Sequence, residues 1–277
     1  MINKTAMITI AGRPNVGKST LTNRLVGEKV AIVSDKPQTT RNRIFAVLNR
    51  GDTQIVLMDT PGFHKPRTRL GDYMVGVVKE SVADVDAVAL LVEPVDNIGT
   101  QEQLLLERLR ETGVPAILVI NKVDTVKKEA LLAVIARYSQ AYGFAAVVPI
   151  SARTGENVDA LLEEFDKFAV EGPQLFPEDM VTDQPEKQIV AELVREKLLL
   201  CLDREIPHGT AVEVTKFSER EDGIIDLDVT IYCEKASHKG IIIGKQGTML
   251  KRIGELSRAE IEKFMGAKVF LQTWVKV

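Results

Sequence analysis

The stretch GRPNVGKS, residues 12–19, decides the fold of the first half of the chain, because it matches the phosphate-loop pattern G-x-x-x-x-G-K-S/T. The apolar run before it, residues 7–11, predicts a short buried strand, and residues 19–26 predict the helix that follows. Glycines in such a loop let successive N–H groups point at phosphate oxygens, and the helix N-terminus adds partial positive charge. We therefore expect Lys18 to reach the β- and γ-phosphates of a nucleotide and Ser19 to bind Mg²⁺. The alternative, a plain strand-to-helix turn, has no need of the Lys-Ser pair.

The motif NKVD, residues 121–124, predicts which base is bound. It follows an apolar run, residues 114–120, short enough for a parallel strand, so it falls at a C-terminal strand end, where open α/β sheets bind ligands. The Asp124 carboxylate can accept hydrogen bonds from both N1–H and the 2-amino group of guanine, and adenine lacks this pair of donors. On its own the motif also fits an exposed helix start. Its place downstream of the phosphate loop favours guanine.

The motif DTPG, residues 59–62, follows a predicted strand at residues 54–58 and has the pattern of a hydrolytic switch. We expect Asp59 to hold Mg²⁺ through a water and the Gly62 N–H to meet the γ-phosphate. Many GTPases carry next a Gln that orients the attacking water, and this chain has Phe63. Because an apolar ring makes no hydrogen bond to water, hydrolysis must use another group, a backbone carbonyl or an ion. A plain core role for Phe63 stays open.

A polar, turn-prone segment between these motifs, residues 37–41, predicts the first switch. One Thr hydroxyl there can complete the Mg²⁺ shell, and we favour Thr40 over Thr39. The predicted switch residues are Gln38, Thr39, Thr40, Arg41 and Asn42.

The nucleotide site predicted from these motifs also includes residues after a further short strand at 146–150. The predicted GTP-binding residues are Gly12, Arg13, Pro14, Asn15, Val16, Gly17, Lys18, Ser19, Thr20, Asp59, Thr60, Pro61, Gly62, Phe63, Asn121, Lys122, Val123, Asp124, Ser151, Ala152 and Arg153. The predicted Mg²⁺ ligands are Ser19, Thr40 and, through water, Asp59. The predicted catalytic residues are Lys18, Thr40 and Gly62, with no side-chain base among them.

Composition limits the remaining possibilities. The 277 residues are 45% apolar and 27% charged, which is typical of a soluble globular protein with one large or two ordinary domains. A net charge of −3 argues against nucleic-acid binding over the whole surface, so any basic surface must be local. Cys201 and Cys233 have neither disulfide nor metal-ligand spacing and predict reduced thiols in the cytosol. The longest apolar stretch, residues 87–92, is far too short to span a membrane.

Changes in the sequence pattern along the chain indicate the domain boundaries. From residue 7 to about 168, short apolar runs alternate with helical segments such as 101–112 and 158–168, which predicts an α/β domain with a mostly parallel, doubly wound sheet. Residues 171–185 are rich in proline and predict a connection. We therefore predict a GTPase domain at 1–172, a linker at 173–186 and a smaller α+β domain at 187–277.

The second domain is predicted in the order helix, strand, strand, helix, helix, strand. That order surrounds a G-x-x-G loop at residues 244–247, with a strand-like Ile-rich lead-in at 241–243, and it is the signature of a KH nucleic-acid-binding module. Residues 235–252 contain five basic side chains and no carboxylate, so phosphate attraction is concentrated locally. A helix–helix turn would also explain the loop alone. The predicted RNA-binding residues are Lys239, Ile243, Gly244, Lys245, Gln246, Gly247, Lys251 and Arg252.

A GTPase domain followed by this KH-like domain resembles the Era family of bacterial ribosome-assembly GTPases over nearly the whole chain. The likeness is carried by the motifs already quoted, by FPED at residues 176–179 and by LQTWVKV at residues 271–277. Similar proteins continue beyond that last strand, whereas this chain ends at Val277.

The resemblance implies GTP hydrolysis and binding of the 3′ end of 16S rRNA through a type II KH domain. It further implies a role in maturation of the 30S subunit, a cytoplasmic location with some peripheral membrane association, and a monomer. Family members place an apolar residue where other GTPases have the catalytic Gln, which matches Phe63. In related potassium-dependent GTPases an Asn of the phosphate loop holds K⁺, and Asn15 stands at that position.

Two other classes of function fit the same residues. The chain could hold GTP without useful turnover, as a binding module. Alternatively, its KH-like domain could dock a protein partner in place of RNA.

Overall fold

The computed structural model describes residues 2–36, 39–41, 43–61, 85–203 and 206–277. The chain forms two compact units, one of Met1–Ala31 with Thr40–Asp183 and the other of Ile32–Thr39 with Gln184–Val277. The segment predicted as a linker, residues 173–186, is thus shared between the units, and most of it belongs to the first.

The first unit alternates strands and helices. Its elements are β1 (Lys4–Ala11), α1 (Lys18–Val26), β2 (Ile44–Arg50), β3 (Thr53–Asp59), β4 (Ala87–Val92), α2 (Thr100–Thr112), β5 (Ala116–Ile120), a 3₁₀ turn (Val123–Thr125), α3 (Lys128–Ala141), β6 (Ala146–Pro149), α4 (Val158–Asp166) and β7 (Val170–Glu171). The strand order is β2-β3-β1-β4-β5-β6, with β7 beside β1. Among the described strands of this unit only β2 and β7 pair antiparallel, so the predicted α/β class with a mostly parallel sheet is confirmed.

Helices cover both faces of this sheet. Along β4, Ala87, Ala89 and Leu91 belong to one apolar cluster, and the alternate residues belong to the other. The first cluster includes residues of α1 and α4, and the second includes residues of α2 and α3. Because side chains of a strand point alternately to the two faces, a strand covered on both sides is apolar at every position. This explains why β4 and β5 are continuous apolar runs and why β3 is apolar from residue 55 to residue 58. All three strands are buried throughout.

The second unit has the predicted α+β order. Its elements are α5 (Glu186–Cys201), β8 (Thr210–Glu219), β9 (Ile225–Cys233), α6 (Ala236–Ile243), a 3₁₀ turn (Lys245–Gly247), α7 (Thr248–Met265) and β10 (Val269–Lys276). The strand order is β10-β9-β8, and β9 runs parallel to β10 and antiparallel to β8. The strand-like reading of residues 241–243 is wrong, because they end α6. Ile242 is buried and Ile241 exposed, and three apolar residues are too few to show a helical period.

Residues 32–36 and Thr39 pack in the second unit, against α5. The Val33 N–H donates to Glu196 Oε1 at 3.0 Å, and the Arg195 guanidinium donates to the Thr39 carbonyl. Lys36 forms an ion pair with Asp203, with 3.6 Å between Nζ and Oδ1. These contacts assign the segment to this unit, although it lies between two motifs of the first.

The longest described helix, α7, has 18 residues and is amphipathic. Among the described residues, no helix has the length and apolar character needed to cross a membrane.

Candidate nucleotide and RNA sites

The phosphate loop connects the C-terminal end of β1 to the first turn of α1. Gly12 and Gly17 have φ values of +156° and +100°, which disfavour a side chain. A Cβ on Gly12 would lie 2.5 Å from the Leu91 carbonyl oxygen, and a Cβ on Gly17 would collide with the Asn121 side chain. Glycine is therefore required at both ends, since the loop lies directly against the ends of β4 and β5.

Lys18 is buried beneath this loop. Its ammonium donates to the carbonyl oxygens of Gly12 at 3.1 Å and Arg13 at 2.9 Å. Burial lowers the pKa of Lys18 to about 8, and the nearby Asp59 carboxylate acts in the opposite direction. The ammonium is thus held where phosphate oxygens bound by the loop would meet it.

Three oxygen-bearing side chains converge beside Lys18. Ser19 Oγ and Thr40 Oγ1 lie 3.0 Å apart. Asp59 is fully buried, and neither of its carboxylate oxygens has a hydrogen-bond partner. Burial raises the pKa of Asp59 to about 6, and the positive charge of Lys18 is the largest effect that opposes this rise. A buried carboxylate without a partner next to two hydroxyls is a donor set that fits Mg²⁺.

Asn121 and Lys122 join the guanine motif to the phosphate loop. Asn121 Nδ2 donates to the Val16 carbonyl at 2.7 Å, and Asn121 Oδ1 accepts from the Ala152 N–H at 2.9 Å. Lys122 Nζ donates to the Asn15 carbonyl at 2.6 Å. The three loops that end β1, β5 and β6 are therefore tied together by side chains of one motif.

Asp124 lies at the open side of this arrangement. Its carboxylate accepts from Ser151 Oγ at 2.7 Å and forms an ion pair with Arg153. The Ser151 hydroxyl has the largest effect and lowers the pKa of Asp124. Desolvation opposes it, and Arg153 lowers the pKa further, so that it lies below its usual range. The side chain is therefore an ionised acceptor near neutral pH, as recognition of N1–H and the 2-amino group requires.

The described part of the predicted site is gathered at the C-terminal ends of β1, β3, β5 and β6. Of the two threonines considered for Mg²⁺, Thr40 is the one beside Ser19, and Thr39 belongs to the second unit. Thr60 turns its hydroxyl inward to the Ile10 carbonyl at 2.9 Å. The predicted residues Gln38, Asn42, Gly62 and Phe63 lie outside the described residues.

The G-x-x-G loop lies between α6 and α7. Gly244 has φ +74°, and a Cβ there would lie 2.6 Å from Met249 Cβ, so the first glycine permits close approach of the two helices. Lys245 and Gln246 between the glycines are exposed. Lys251 and Arg252 are exposed in the next turns, at the positions predicted for phosphate contacts.

A groove of about 410 Å³ begins at this loop and lies between α7 and the edge strand β10. Its lining is Gly247, Leu250, Lys251, Gly254, Glu255, Arg258, Leu271 and Thr273. Sequence reasoning predicted Gly247 and Lys251 of this lining but not Leu250, Gly254, Glu255, Arg258, Leu271 or Thr273. The available signal was Gly254, because glycine inside a helix is costly and so indicates a need for space.

Sequence reasoning also missed Glu93 and Glu102, which form ion pairs with side chains of the nucleotide site. Glu93 directly follows β4, at the same sheet edge as the other motifs. Its position after a buried strand was the signal that could have identified it.

Family models match both units of the chain. The model described as 50S ribosome-binding GTPase matches residues 7–122, and the model described as KH domain matches residues 205–277.

Similar proteins align with the chain from end to end. GTPase Era of Ruminiclostridium cellulolyticum is 53% identical over 277 residues, which is 100% of this chain and 93% of that protein. GTPase Era of Alkaliphilus metalliredigens is 51% identical over 278 residues, covering 100% of this chain and 94% of that one.

Solved structures superpose equally well. A crystal structure of Era in complex with MgGDPNP and nucleotides 1506–1542 of 16S ribosomal RNA has a TM-score of 0.94 at 36% identity, covering 99% of this chain and 94% of that chain. An Aquifex aeolicus Era variant bound to GDP·AlF4⁻ gives the same TM-score, 0.94, and the same coverage.

Proposed function

The chain belongs to the GTPase Era family, and on that premise we propose that it is a GTP-hydrolysing switch that binds the 3′ end of 16S rRNA and assists maturation of the 30S subunit. The observation that carries the proposal is the presence in one chain of a phosphate-loop site and a G-x-x-G groove, in a fold that matches Era bound to both ligands over 99% of the chain. The enzymatic activity is that of the family, hydrolysis of GTP to GDP and phosphate.

In the nucleotide site, the loop N–H groups and Lys18 bind the phosphates, and Asp124 binds guanine. Ser19 and Thr40, with Asp59 through a water, would hold Mg²⁺. The metal would neutralise charge that develops on the phosphates during transfer. Support for this assignment comes from the partnerless Asp59 carboxylate and from the lowered pKa of Asp124.

Hydrolysis in this proposal uses no side-chain base. The chain's contribution is to bind, orient and stabilise the phosphates through Lys18 and the loop, with Thr40 and Gly62 sensing the γ-phosphate. We assign Asn15 as the residue that would hold K⁺, and hydrolysis rates in potassium and sodium test that assignment.

In the second unit, the backbone of the G-x-x-G loop binds the sugar-phosphate backbone, assisted by Lys239, Lys245, Lys251 and Arg252. Unpaired bases lie in the groove between α7 and β10, where Leu250 and Leu271 provide apolar contact and Thr273 a hydrogen-bonding group. We further propose a cytoplasmic monomer with peripheral membrane association.

The decisive experiment replaces Lys245 and Gln246 together with Asp. Gln246 has φ +53°, a conformation that Asp tolerates, so the variant should fold. The chain offers a matched control in Lys187→Asp with Gln188→Asp, an equally exposed Lys-Gln pair at the start of α5.

A single-stranded oligonucleotide matching the 3′ end of 16S rRNA is titrated into each protein loaded with a GTP analogue. The loop variant should lose binding, the control should retain it, and all three proteins should hydrolyse GTP equally without RNA. Unchanged RNA affinity of the loop variant would contradict the RNA assignment and favour protein docking by this domain. Absence of turnover in the unaltered protein would favour a GTP-binding module.

A further inference from the structure

Two loops of the nucleotide site are joined by four charged side chains, two of which lie outside the recognition motifs. Arg13 belongs to the phosphate loop, and Lys122 belongs to the guanine motif. Glu93 follows β4, and Glu102 stands in the first turn of α2. We call these four residues the carboxylate bridge.

The two carboxylate oxygens of Glu93 contact side chains of different loops. Its Oε1 lies 2.5 Å from Lys122 Nζ, and its Oε2 accepts from the Arg13 guanidinium. Lys122 also donates to the Asn15 carbonyl, so Glu93 and Lys122 hold the phosphate loop at two places. One carboxylate therefore fixes the guanine motif and the phosphate loop to the same point at the end of β4.

Glu102 supports the same arrangement from α2. Its side chain is buried, and its Oε1 lies 3.2 Å from Arg13 Nε. A Cβ on Gly99, immediately before α2, would lie 2.7 Å from Glu102 Oε2, so the carboxylate occupies the space that glycine leaves. Arg13 is thus held between two carboxylates, one directly after β4 and one in α2.

The charges in the carboxylate bridge are balanced, with two cations and two anions. Burial alone would raise the pKa of Glu93, but Lys122 and Arg13 together lower it below its usual range, so the carboxylate stays ionised. Because Arg13 and Lys122 are already paired, their charge is largely neutralised before a nucleotide arrives. Their pairing with Glu93 accordingly serves to position the two loops.

We infer that Glu93 is a positioning residue for nucleotide binding, which preorganises the phosphate loop and the guanine motif as one site by holding Arg13 and Lys122 at once. The inference rests on the proposed nucleotide site. Loops that are held in the bound geometry do not have to be ordered when the ligand binds. Without the bridge, the phosphate and base ends of the nucleotide would be released more independently, and dissociation would become faster.

The test is Glu93→Gln, whose amide keeps the size of the side chain but cannot accept from both cations. The matched control is Glu164→Gln on α4, since the side chains of Glu93 and Glu164 are 26% and 25% exposed and each pairs with a lysine. Dissociation of fluorescent GDP, hydrolysis at saturating GTP and thermal unfolding are measured for both variants.

We expect Glu93→Gln to speed nucleotide dissociation about tenfold, the size of the loss of one charge-assisted contact. The turnover rate at saturating GTP should stay within about threefold, since Glu93 is not among the groups placed at the phosphates or at guanine. Glu164→Gln should change neither quantity. A purely structural role would lower the unfolding temperature and leave the dissociation rate of the folded protein unchanged, and that result would overturn the inference.

A second variant, Arg13→Gln, decides the question if Glu93→Gln does not fold. It removes the guanidinium that joins the phosphate loop to both carboxylates, and nucleotide dissociation should again accelerate about tenfold. An unchanged rate would overturn the inference while guanine-nucleotide binding stands. Failure of the unaltered protein to bind any guanine nucleotide would instead refute the proposed function.

Discussion

The pKa values of two carboxylates in the nucleotide site are shifted in opposite directions by their surroundings. The Ser151 hydroxyl and Arg153 lower the pKa of Asp124, which keeps an acceptor available for a neutral base. Burial raises the pKa of Asp59 to about 6, so its charge is costly until a cation compensates it. The same residue type therefore serves base recognition in one place and metal binding in the other.

Asp124→Asn should change the preferred base from guanine to xanthine, because the amide presents a donor that suits the 2-oxo group of xanthine. The loss of GTP affinity should be about 2 kcal/mol, or roughly thirtyfold. Competition between GTP and xanthosine triphosphate measures it. Asp52→Asn, which removes an ion-paired aspartate in the β2–β3 turn, is the control. A variant that still prefers GTP would show that Asp124 does not read the base.

Mg²⁺-nucleotide binding should release a proton from Asp59 at pH 6. The pKa of Asp59 is raised to about 6, so the carboxyl is about half protonated there, and the cation requires the carboxylate. Affinity for the Mg²⁺ complex should accordingly fall as the pH falls through 6, and above about pH 7 Asp59 should release nothing.

Calorimetry in two buffers of different ionisation enthalpy, at pH 6 and pH 7.5, measures this proton. Asp59→Asn provides the baseline, because it removes the titrating group and leaves the proton release of the nucleotide itself. Equal proton release by the two proteins at pH 6 would contradict the assignment of Asp59 to the metal.

Among the elements, α7 has two requirements that conflict. Its stripe of Ile253, Ser257 and Ile261 is buried in the second unit, while Gly254 and Arg258 line the groove on another face. A helix of 18 residues is weakened by an internal glycine, yet a side chain at Gly254 would meet no atom within 4 Å and would project into open space. Gly254 therefore lowers the stability of α7 but keeps the groove wide.

Gly254→Ala should therefore change stability and RNA affinity in opposite directions. The free energy of unfolding should rise by up to about 1 kcal/mol, because alanine is the better helix former. Affinity for a single-stranded oligonucleotide should fall about fivefold, an effect of about 1 kcal/mol from the narrowed groove. Denaturant unfolding and titration measure the two quantities.

The control for this helix is Ala259→Gly, an exposed position of α7 outside the groove lining. It should destabilise the protein by a similar amount without affecting RNA. If Gly254→Ala left RNA affinity unchanged or improved it, the bases would have to bind elsewhere.

For the whole molecule, the distribution of charge matters more than its sum. The chain carries a net charge of −3, which by itself repels nucleic acid. Five basic residues and no carboxylate occupy residues 235–252 of the second unit. The proposed nucleotide site lies in the first unit, and the proposed RNA site lies in the second.

RNA affinity should fall as the salt concentration rises, and the small number of local phosphate contacts should limit the steepness of this fall. Each contact to a single strand contributes about −0.7 to the slope of log K against log salt, so five contacts set a limit of about −3.5. Lys245→Gln should reduce the magnitude of the slope by about 0.7, and Lys187→Gln should not change it. A slope near zero would show that these lysines do not contact phosphate.

Sequence alone predicted the mostly parallel α/β domain, the α+β order of the second domain and the family. These features depend on local requirements, because a phosphate loop needs its glycines and lysine at one spacing and a buried strand is apolar throughout. The same reasoning went wrong at residues 241–243, where three isoleucines end α6. A run that short does not distinguish the period of a helix from that of a strand.

Only the tertiary structure decided how residues distant in sequence are combined. It packed residues 32–36 and Thr39 against α5, and it joined Arg13 to Lys122 through Glu93. None of these contacts has a sequence spacing to recognise it by, because the chain returns to the same sheet edge after loops and helices of unrelated length. The motifs determine what chemistry is present, and packing at that edge determines which side chains act together.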